Sequence, residues 1–485
     1  MKYFNRTDVY TILHYLGMIM QGIGLMFILP LVISLIYRED NYLGFIIALI
    51  ISIIVGKLLN IFFKDHKKMR LKHGMIISSL VWIWAGLMGA IAMIISIDIS
   101  FLNAFFENMS GWTCTGFTIF PNINSLPKSI LFLRCLEQWL GGLGVVVVVL
   151  GISVRSGTVA KKLYQSEARE EKIKPSIHNT LHKTLKIYLL YTAIGIILYI
   201  LAGMPIFDSI CTTFTSISTG GMAIKNNSLA YYHNDYINII TMILMILGAT
   251  SFVVHYNVIK SRGKSLINDL QFKTLILIII SASLIVYIFS NLMPMNIVFH
   301  MISALTSTGA TITSINTMNN WPSFILIITI ILMLIGGSSG STVGAIKLNR
   351  VIIFLKGIIS NIKSIISPEG RVIIMKISGQ SISDKAIQES TGYICLYISF
   401  IFISWIVFTG YGFDSFNSLF EIVSAQGNVG LSTGIVDESL DPLLKILLIF
   451  NMWIGRLEII PVIVTVRSMF EIFKKASLEK FINKL

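Results

Sequence analysis

Long stretches of apolar residues fill this chain, and short polar stretches separate them. A helix needs about 20 apolar residues to cross a bilayer, and ten stretches reach that length. The last stretch and the eighth are longer than one crossing requires. The pattern therefore predicts a polytopic membrane protein. The predicted spans are residues 10–37, 42–63, 74–97, 129–154, 185–204, 236–259, 274–292, 321–356, 392–410 and 443–470.

A second kind of segment follows spans three, five, seven and nine. Each begins with an apolar stretch too short to cross a bilayer and ends in small residues that include glycine. We call the glycine-containing ends segments one to four: residues 110–118, 216–221, 303–311 and 424–432. Aligning them on Gly116, Gly220, Gly309 and Gly430 places Thr115, Thr219, Thr308 and Val429 one position before the glycine.

This recurrence is an internal repeat, and a repeat defines the architecture before any residue is assigned a role. It predicts an all-α integral membrane fold of four units around a pseudo-fourfold pore, with two extra N-terminal transmembrane helices. Each unit is a span, a re-entrant pore helix, a filter turn and a second span. The expected regions are an N-terminal helix pair (1–70), unit one (71–180), unit two (181–268), unit three with a broken second span (269–388), and unit four with a cytoplasmic tail (389–485).

The segments suit a cation pathway. Non-helical backbone at membrane depth is tolerated only inside protein or along a water-filled cavity. A ring of such turns can replace the hydration shell of a cation with carbonyl oxygens. The alternative, four surface loops that happen to contain Gly and Thr, leaves the repeat without a cause. The predicted cation ligands are Cys114, Thr115, Gly116, Ser218, Thr219, Gly220, Ser307, Thr308, Gly309, Asn428, Val429 and Gly430.

Composition and charge agree with a membrane protein. Hydrophobic residues make up 54% of the chain and charged residues 13%, about half the charged fraction of a soluble domain. The net charge of +14 does not indicate nucleic acid, because the basic residues fall between spans. Loops rich in Lys and Arg stay in the cytoplasm, so both termini are expected inside. The basic loops are 64–73, 155–186, 260–273, 356–388 and the C-terminal tail.

Other chemistry is weakly indicated. The cysteines lack the spacing of a metal site, and no phosphate-binding glycine motif follows a strand. His, Asp and Glu residues within the spans are isolated, so a membrane enzyme or sensor is the weak alternative from a different class. We expect no organic cofactor on this chain and no enzymatic activity.

Five stretches together resemble the TrkH/KtrB superfamily of potassium transporters, and its TrkH branch most closely. They are Gln-Trp-Leu-Gly-Gly-Leu-Gly (138–144), Ser-Thr-Gly-Gly (218–221), Gly-Gly-Ser-Ser-Gly-Ser-Thr (336–342), Asn-Val-Gly-Leu-Ser (428–432) and Gly-Arg-Leu-Glu (455–458).

The resemblance implies a potassium-selective channel or symporter in the bacterial inner membrane, embedded in lipid and assembled as a homodimer. It also implies a cytosolic nucleotide-binding regulatory subunit resembling TrkA. The alternative within transport is a sodium-coupled or weakly selective cation transporter of the KtrB type.

A gate is expected below the segments. The over-long eighth span is interrupted by contiguous glycine and serine, which unwind helices, and the resemblance implies an intramembrane gating loop there. The alternative is a close helix-packing face. The expected loop residues are Gly336, Gly337, Ser338, Ser339, Gly340 and Ser341.

Arg456 lies near the middle of the last span, where a charge is a functional hypothesis by default. We expect it to face the pore beside residues 336–342 and to repel cations there. The alternative is that its side chain extends to the inner surface.

Six further polar residues have lesser roles in this interpretation. Lys347 fits a helix end and a gate-supporting role equally, and Arg134 is expected to anchor at the membrane interface. His255 and His300 are expected to be structural. Glu107 and Glu421 share one position in re-entrant helices one and four, and we expect both to accept local hydrogen bonds or to balance positive charge.

Overall fold

The computed structural model describes residues 5–64, 68–144, 177–261, 264–313, 321–368, 375–377 and 380–482. Within these residues the chain forms two compact units. The first takes its residues from Met1–Thr113, Ser125–Lys186 and Leu457–Leu485, and the second from Cys114–Asn124 and Ile187–Arg456.

The first unit opens with a pair of long apolar helices that pack closely. Gly17 and Gly56 lie at the contact, where a Cβ on either residue would meet the carbonyl oxygen of the other. Small residues allow membrane helices to approach in this way. The helices of this part of the chain are α1 (Arg6–Met26), α2 (Ile28–Ile36), α3 (Tyr42–Phe62), α4 (Leu71–Ile97), α5 (Phe101–Trp112) and α6 (Lys128–Leu143).

The following helices supply most of the second unit. They are α7 (Ile177–Leu201), α8 (Ile206–Ile217), α9 (Asp235–Gly248), α10 (Phe252–Ser261), α11 (Lys264–Asn268), α12 (Leu270–Phe289), α13 (Pro294–Leu305), α14 (Ser323–Ile335), α15 (Leu348–Ile366), α16 (Asp384–Gly410), α17 (Ser415–Gly427) and α18 (Pro442–Leu457), after which α19 (Ile459–Ile482) returns to the first unit. Strands β1 (Lys376–Ile377) and β2 (Gln380–Ser381) form a small antiparallel hairpin.

Six helices in the described part of the chain are long and apolar enough to cross a membrane, or up to eight if each bent pair is one span. Two predicted spans are wrong as continuous helices. Span 236–259 is α9 and α10, which meet at 104°, and span 443–470 is interrupted at Glu458, whose φ is 63°. Span 129–154 is described only to Gly144, and the loop expected at 155–186 lies largely outside the described residues.

The predicted re-entrant helices are confirmed as four short helices: α5, α8, α13 and α17. They contain 12, 12, 12 and 13 residues. At a rise of about 1.5 Å per residue they are shorter than a bilayer's hydrocarbon core. Each ends where a glycine segment turns back.

The break between α9 and α10 and the break between α14 and α15 complement each other. The N–H groups of Ser338 and Thr342 donate to the carbonyl oxygens of Ala249 (2.9 Å) and Gly248 (3.2 Å), and the Phe252 N–H donates to the Gly340 oxygen (3.1 Å). A broken helix exposes backbone groups that must be satisfied at membrane depth. Each interruption supplies the partners that the other one needs.

Candidate ion-conduction site

The same backbone turn follows each of the four short helices. Just past the helix a residue with a side chain adopts the left-handed conformation, and two positions later a glycine also has a positive φ. The left-handed residues are Cys114 (57°), Thr219 (53°), Ser307 (48°) and Asn428 (53°), and the glycines are Gly116 (88°), Gly221 (62°), Gly309 (73°) and Gly430 (88°).

This geometry corrects the alignment of segment two, because Gly221 rather than Gly220 occupies the position of the other three glycines. Backbone hydrogen bonds give the same register. The N–H of Gly220 donates to the Thr215 oxygen at 2.9 Å, as the N–H of Thr308 does to Ser303.

The corrected register changes which residues correspond. One position before the glycine stand Thr115, Gly220, Thr308 and Val429, so threonine occurs in two segments rather than three. Six positions before it stand Ser110, Thr215, Ser303 and Ser424, all of them hydroxyl residues. Requiring a hydroxyl at that position is the sequence signal that would have identified Gly221.

The four turns meet one another in chain order. A Cβ on Gly221 would collide with the carbonyl oxygen of Thr308, and one on Gly309 with the oxygen of Val429. A Cβ on Gly430 would collide with the oxygen of Thr115, so the fourth turn lies against the first. Segments that are distant in sequence therefore converge, and their glycines are required by close approach as well as by φ.

The left-handed residues are held by side-chain hydrogen bonds. Thr219 Oγ1 lies 3.0 Å from Thr342 Oγ1, and Ser307 Oγ accepts from the Gly344 N–H at 3.3 Å. Asn428 Nδ2 donates to Thr115 Oγ1 (3.0 Å) and to the Met452 oxygen (2.9 Å). A left-handed residue other than glycine costs about 1–2 kcal/mol, and these contacts offset that cost.

The predicted loop is non-helical and lies directly against the segments. Residues 336–347 separate α14 from α15, and both Gly336 and Gly340 have φ of 71°. The hydroxyl of Ser341 donates to the Ser338 oxygen, and the Ser339 N–H donates to Gln271 Oε1 at 2.8 Å. Gln271 lies on α12 and has no sequence feature that would have selected it.

Arg456 reaches this loop, as predicted. It sits one residue before the end of α18, and its Nη1 donates to the carbonyl oxygen of Thr342. The guanidinium therefore holds the same residue whose hydroxyl contacts Thr219 in segment two.

The prediction that Arg134 anchors at the membrane interface is wrong. Arg134 is fully buried rather than interfacial, and its guanidinium lies 2.7 Å from Glu107 Oε1. A buried charge without a partner is strongly destabilising. The ion pair therefore explains how both Arg134 and Glu107 can be buried.

Both histidines have structural contacts, as expected. His255 donates from Nε2 to the Leu247 oxygen at the end of α9 (2.9 Å) and accepts at Nδ1 from the Tyr191 hydroxyl (3.0 Å). His300 donates from Nδ1 to the Asn296 oxygen at 2.7 Å. Lys347 has φ of 75° and its N–H donates to the Ile335 oxygen, at the return from loop to helix.

Four re-entrant helices whose backbone turns converge, above a broken helix, define a membrane transport protein. The TrkH family, described as cation transport protein, matches residues 43–312 and 293–474. An uncharacterized cation transporter of Methanocaldococcus jannaschii is 39% identical over 96% of this chain and 97% of its own length. The chain belongs to the TrkH family of cation transport proteins.

Two named potassium transporters are also similar to it. The Trk system potassium uptake protein TrkH of Escherichia coli strain K12 is 28% identical, covering 91% of this chain and 95% of that protein. The crystal structure of the potassium transporter TrkH from Vibrio parahaemolyticus superposes with a TM-score of 0.84 at 25% identity, covering 94% of this chain and 98% of that one.

Proposed function

We propose that this protein takes up potassium through a filter built from the four glycine turns. The observation that carries the proposal is the convergence of the turns, since the glycines of segments two, three and four each abut a carbonyl oxygen of another segment. The potassium uptake proteins named above, similar over more than nine-tenths of this chain, support the choice of ion.

Selection in this proposal rests on backbone oxygens. Carbonyl groups can replace the hydration shell of a cation, and successive residues of each turn alternate between positive and ordinary φ. In a strand, successive residues face opposite directions. The alternation of φ in these turns instead lets successive carbonyl groups point the same way. The position before the glycine is not a fourfold hydroxyl ring, because segments two and four contribute Gly220 and Val429.

We infer that the loop and Arg456 control conduction. The loop is bonded to segments two and three through Thr342 and Gly344, and Arg456 brings a positive charge to the Thr342 carbonyl. A cation fixed below the filter raises the electrostatic barrier for potassium. Withdrawal of the loop would move Thr342 and Gly344 away from the segments and break the contact between Arg456 and the Thr342 carbonyl.

The cellular setting belongs to the same proposal. The protein would lie in the bacterial inner membrane with both termini in the cytoplasm, as the basic loops indicate. It would act as a homodimer, and a cytosolic nucleotide-binding subunit would supply regulation.

The test is rubidium uptake by cells that lack their own potassium uptake, and by vesicles containing the purified protein. We expect growth rescue at low potassium. Rubidium uptake should not require sodium, and sodium in excess should not be taken up in its place. Uptake that requires sodium, or equal uptake of both ions, would support the KtrB-type alternative. Failure of both rescue and vesicle uptake would overturn the proposal.

A further inference from the structure

One buried position behind each turn is occupied by different residue types in the four segments. Segments one and four share a residue type there, and segments two and three each have another. The position lies nine residues before the positive-φ glycine, on the short helix that leads into the turn. Its occupants are Glu107, Thr212, His300 and Glu421, which are 0%, 7%, 1% and 0% exposed. A helix of this length places the position more than two turns before the glycine, so these side chains do not line the turn itself.

Glu421 binds the chain that leaves segment four. Its Oε1 accepts from the Ser432 hydroxyl (2.7 Å), from the Thr433 N–H (2.7 Å) and from the Thr433 hydroxyl (3.1 Å). Ser432 and Thr433 follow Gly430 directly after Leu431. The carboxylate therefore joins the middle of α17 to the chain that returns from the turn.

His300 makes the corresponding link in segment three. Because Nδ1 faces a carbonyl oxygen, which can only accept, Nδ1 carries the hydrogen. In the neutral ring Nε2 is then an acceptor, and it lies 3.2 Å from the hydroxyl of Thr313. Thr313 follows Gly309 by four residues, so this bond also ties the helix to the returning chain.

The other two segments are supported differently. Thr212 is too short to reach as Glu421 does, and it lines a cavity beside segment two together with Gly221, Met222 and Tyr232. Glu107 is ion-paired with Arg134 at 2.7 Å. The bonds of Glu421 and His300 to the returning chain can therefore be tested in segments four and three.

We propose that Glu421 and His300 are positioning residues that fix the outgoing limbs of segments four and three, and that they thereby set the discrimination of potassium from sodium. The proposal rests on the proposed function. A carbonyl ring discriminates through the number and placement of its oxygens. Releasing a limb two to four residues beyond the glycine lets its carbonyl groups move, and the smaller ion then binds at less cost.

The test is the ratio of potassium to sodium uptake in reconstituted vesicles for Glu421→Ala and Glu421→Gln. We expect Glu421→Ala to lower the ratio about tenfold, the effect of losing a hydrogen bond to a charged group. Glu421→Gln keeps an acceptor oxygen and should recover most of the ratio. An alanine variant with the wild-type ratio, or a glutamine variant as impaired as alanine, would overturn the proposal.

Ser418→Ala is the matched control. Ser418 is fully buried on the same helix, and its hydroxyl has no hydrogen-bond partner among the described residues. It should leave the ratio unchanged. A fall in the ratio equal to that of Glu421→Ala would show that any buried change in α17 has this effect, and would contradict a positioning role.

A second route avoids reliance on the folding of Glu421→Ala. The double variant Ser432→Ala, Thr433→Val removes the donor hydroxyls from the other side, and it should lower the ratio in the same direction. Adding Glu421→Ala should then lower the ratio by less than it does alone, because of the three bonds above the one from the Thr433 N–H remains and residues acting through one contact are non-additive. Additive losses would overturn the proposal. Absence of cation uptake by the wild-type protein would instead overturn the proposed function.

Discussion

Segments two and four follow the same backbone path with different support. In segment four, Asn428 bonds to segment one and to α18, and Glu421 holds the returning chain. In segment two, Gly220 and Gly221 are consecutive, Thr219 contacts the loop at Thr342, and a cavity lies beside Thr212. The repeat therefore conserves the turn in space but not the contacts that stabilise it.

Because of this difference, movement of the loop should affect the two segments unequally. Segment four hydrogen-bonds to its own unit and to segment one, and it packs against the loop where a Cβ on Gly344 would meet Asn428 Oδ1, so its geometry should depend less directly on the loop. Segment two is joined to the loop through Thr219 and Thr342, so movement of the loop reaches its turn first. Substitutions in the two segments and in the loop test this contrast.

The largest effect is expected in segment two, from Gly221→Ala. The added Cβ would collide with the Thr308 carbonyl oxygen at a φ of 62°. We expect rubidium uptake to fall at least about tenfold, since strain of this kind costs about 1–3 kcal/mol. Gly220→Ala is the comparison, because Gly220 lacks a positive φ, and its uptake should fall by less than that of Gly221→Ala. If Gly220→Ala lowered uptake more than Gly221→Ala, the alignment on Gly220 that the sequence suggested would be correct.

In segment four, Asn428→Ala should lower uptake by about fivefold to tenfold. It leaves the Met452 oxygen and the Thr115 hydroxyl without this donor, and it places alanine in a left-handed conformation. Asn428→Gly keeps the conformation without the amide, and it should be nearly as impaired.

The matched control is Asn451→Ala, which removes an equally buried amide bonded to Ser404. It should lower the thermal stability of the detergent-solubilised protein but not uptake per folded molecule. If Asn428→Gly transports like the wild type, the side-chain contacts of Asn428 do not matter.

Arg456→Ala should raise basal flux several-fold in vesicles without a regulatory partner. The substitution removes the charge and the donor to Thr342, and a lower electrostatic barrier admits cations more readily. Arg467→Ala, at an exposed pair with Glu471, should leave the flux unchanged. Unchanged or reduced flux for Arg456→Ala would exclude its role as a barrier.

The smallest effect is expected from Thr342→Val, which keeps the carbonyl that Arg456 binds but removes the hydroxyl beside Thr219. The same hydroxyl also donates to the Gly248 oxygen (3.0 Å), and each such bond is worth about 1 kcal/mol, so basal flux should rise by less than for Arg456→Ala. Potassium selectivity should change in this variant and stay unchanged in Ser404→Ala, which alters a buried hydroxyl bonded to Asn451. If selectivity also stays unchanged in Thr342→Val, segment two is not coupled to the loop.

The repeat, the short helices and the interrupted eighth span could be predicted from the sequence, because each has a local cause. Apolar length defines the spans, and contiguous glycine and serine define the loop. The register of segment two could not be fixed, since Gly220 and Gly221 both fit a glycine alignment. Only the positive φ of Gly221 and its approach to Thr308 distinguish them.

No local feature of the sequence was sufficient to predict the break between α9 and α10. It forms because the carbonyl oxygens of Gly248 and Ala249 find donors in the loop from another part of the chain. The burial of Arg134 has the same kind of origin, since its partner Glu107 lies on a different helix. Such contacts depend on tertiary packing, which a single sequence does not reveal.

Rubidium located by anomalous diffraction would show whether backbone oxygens of the four turns bind the transported ion. We expect a rubidium ion among the carbonyl oxygens of the four turns, weakened or lost in Gly221→Ala. Rubidium bound only by side chains elsewhere, or bound unchanged at the turns in that variant, would contradict this expectation.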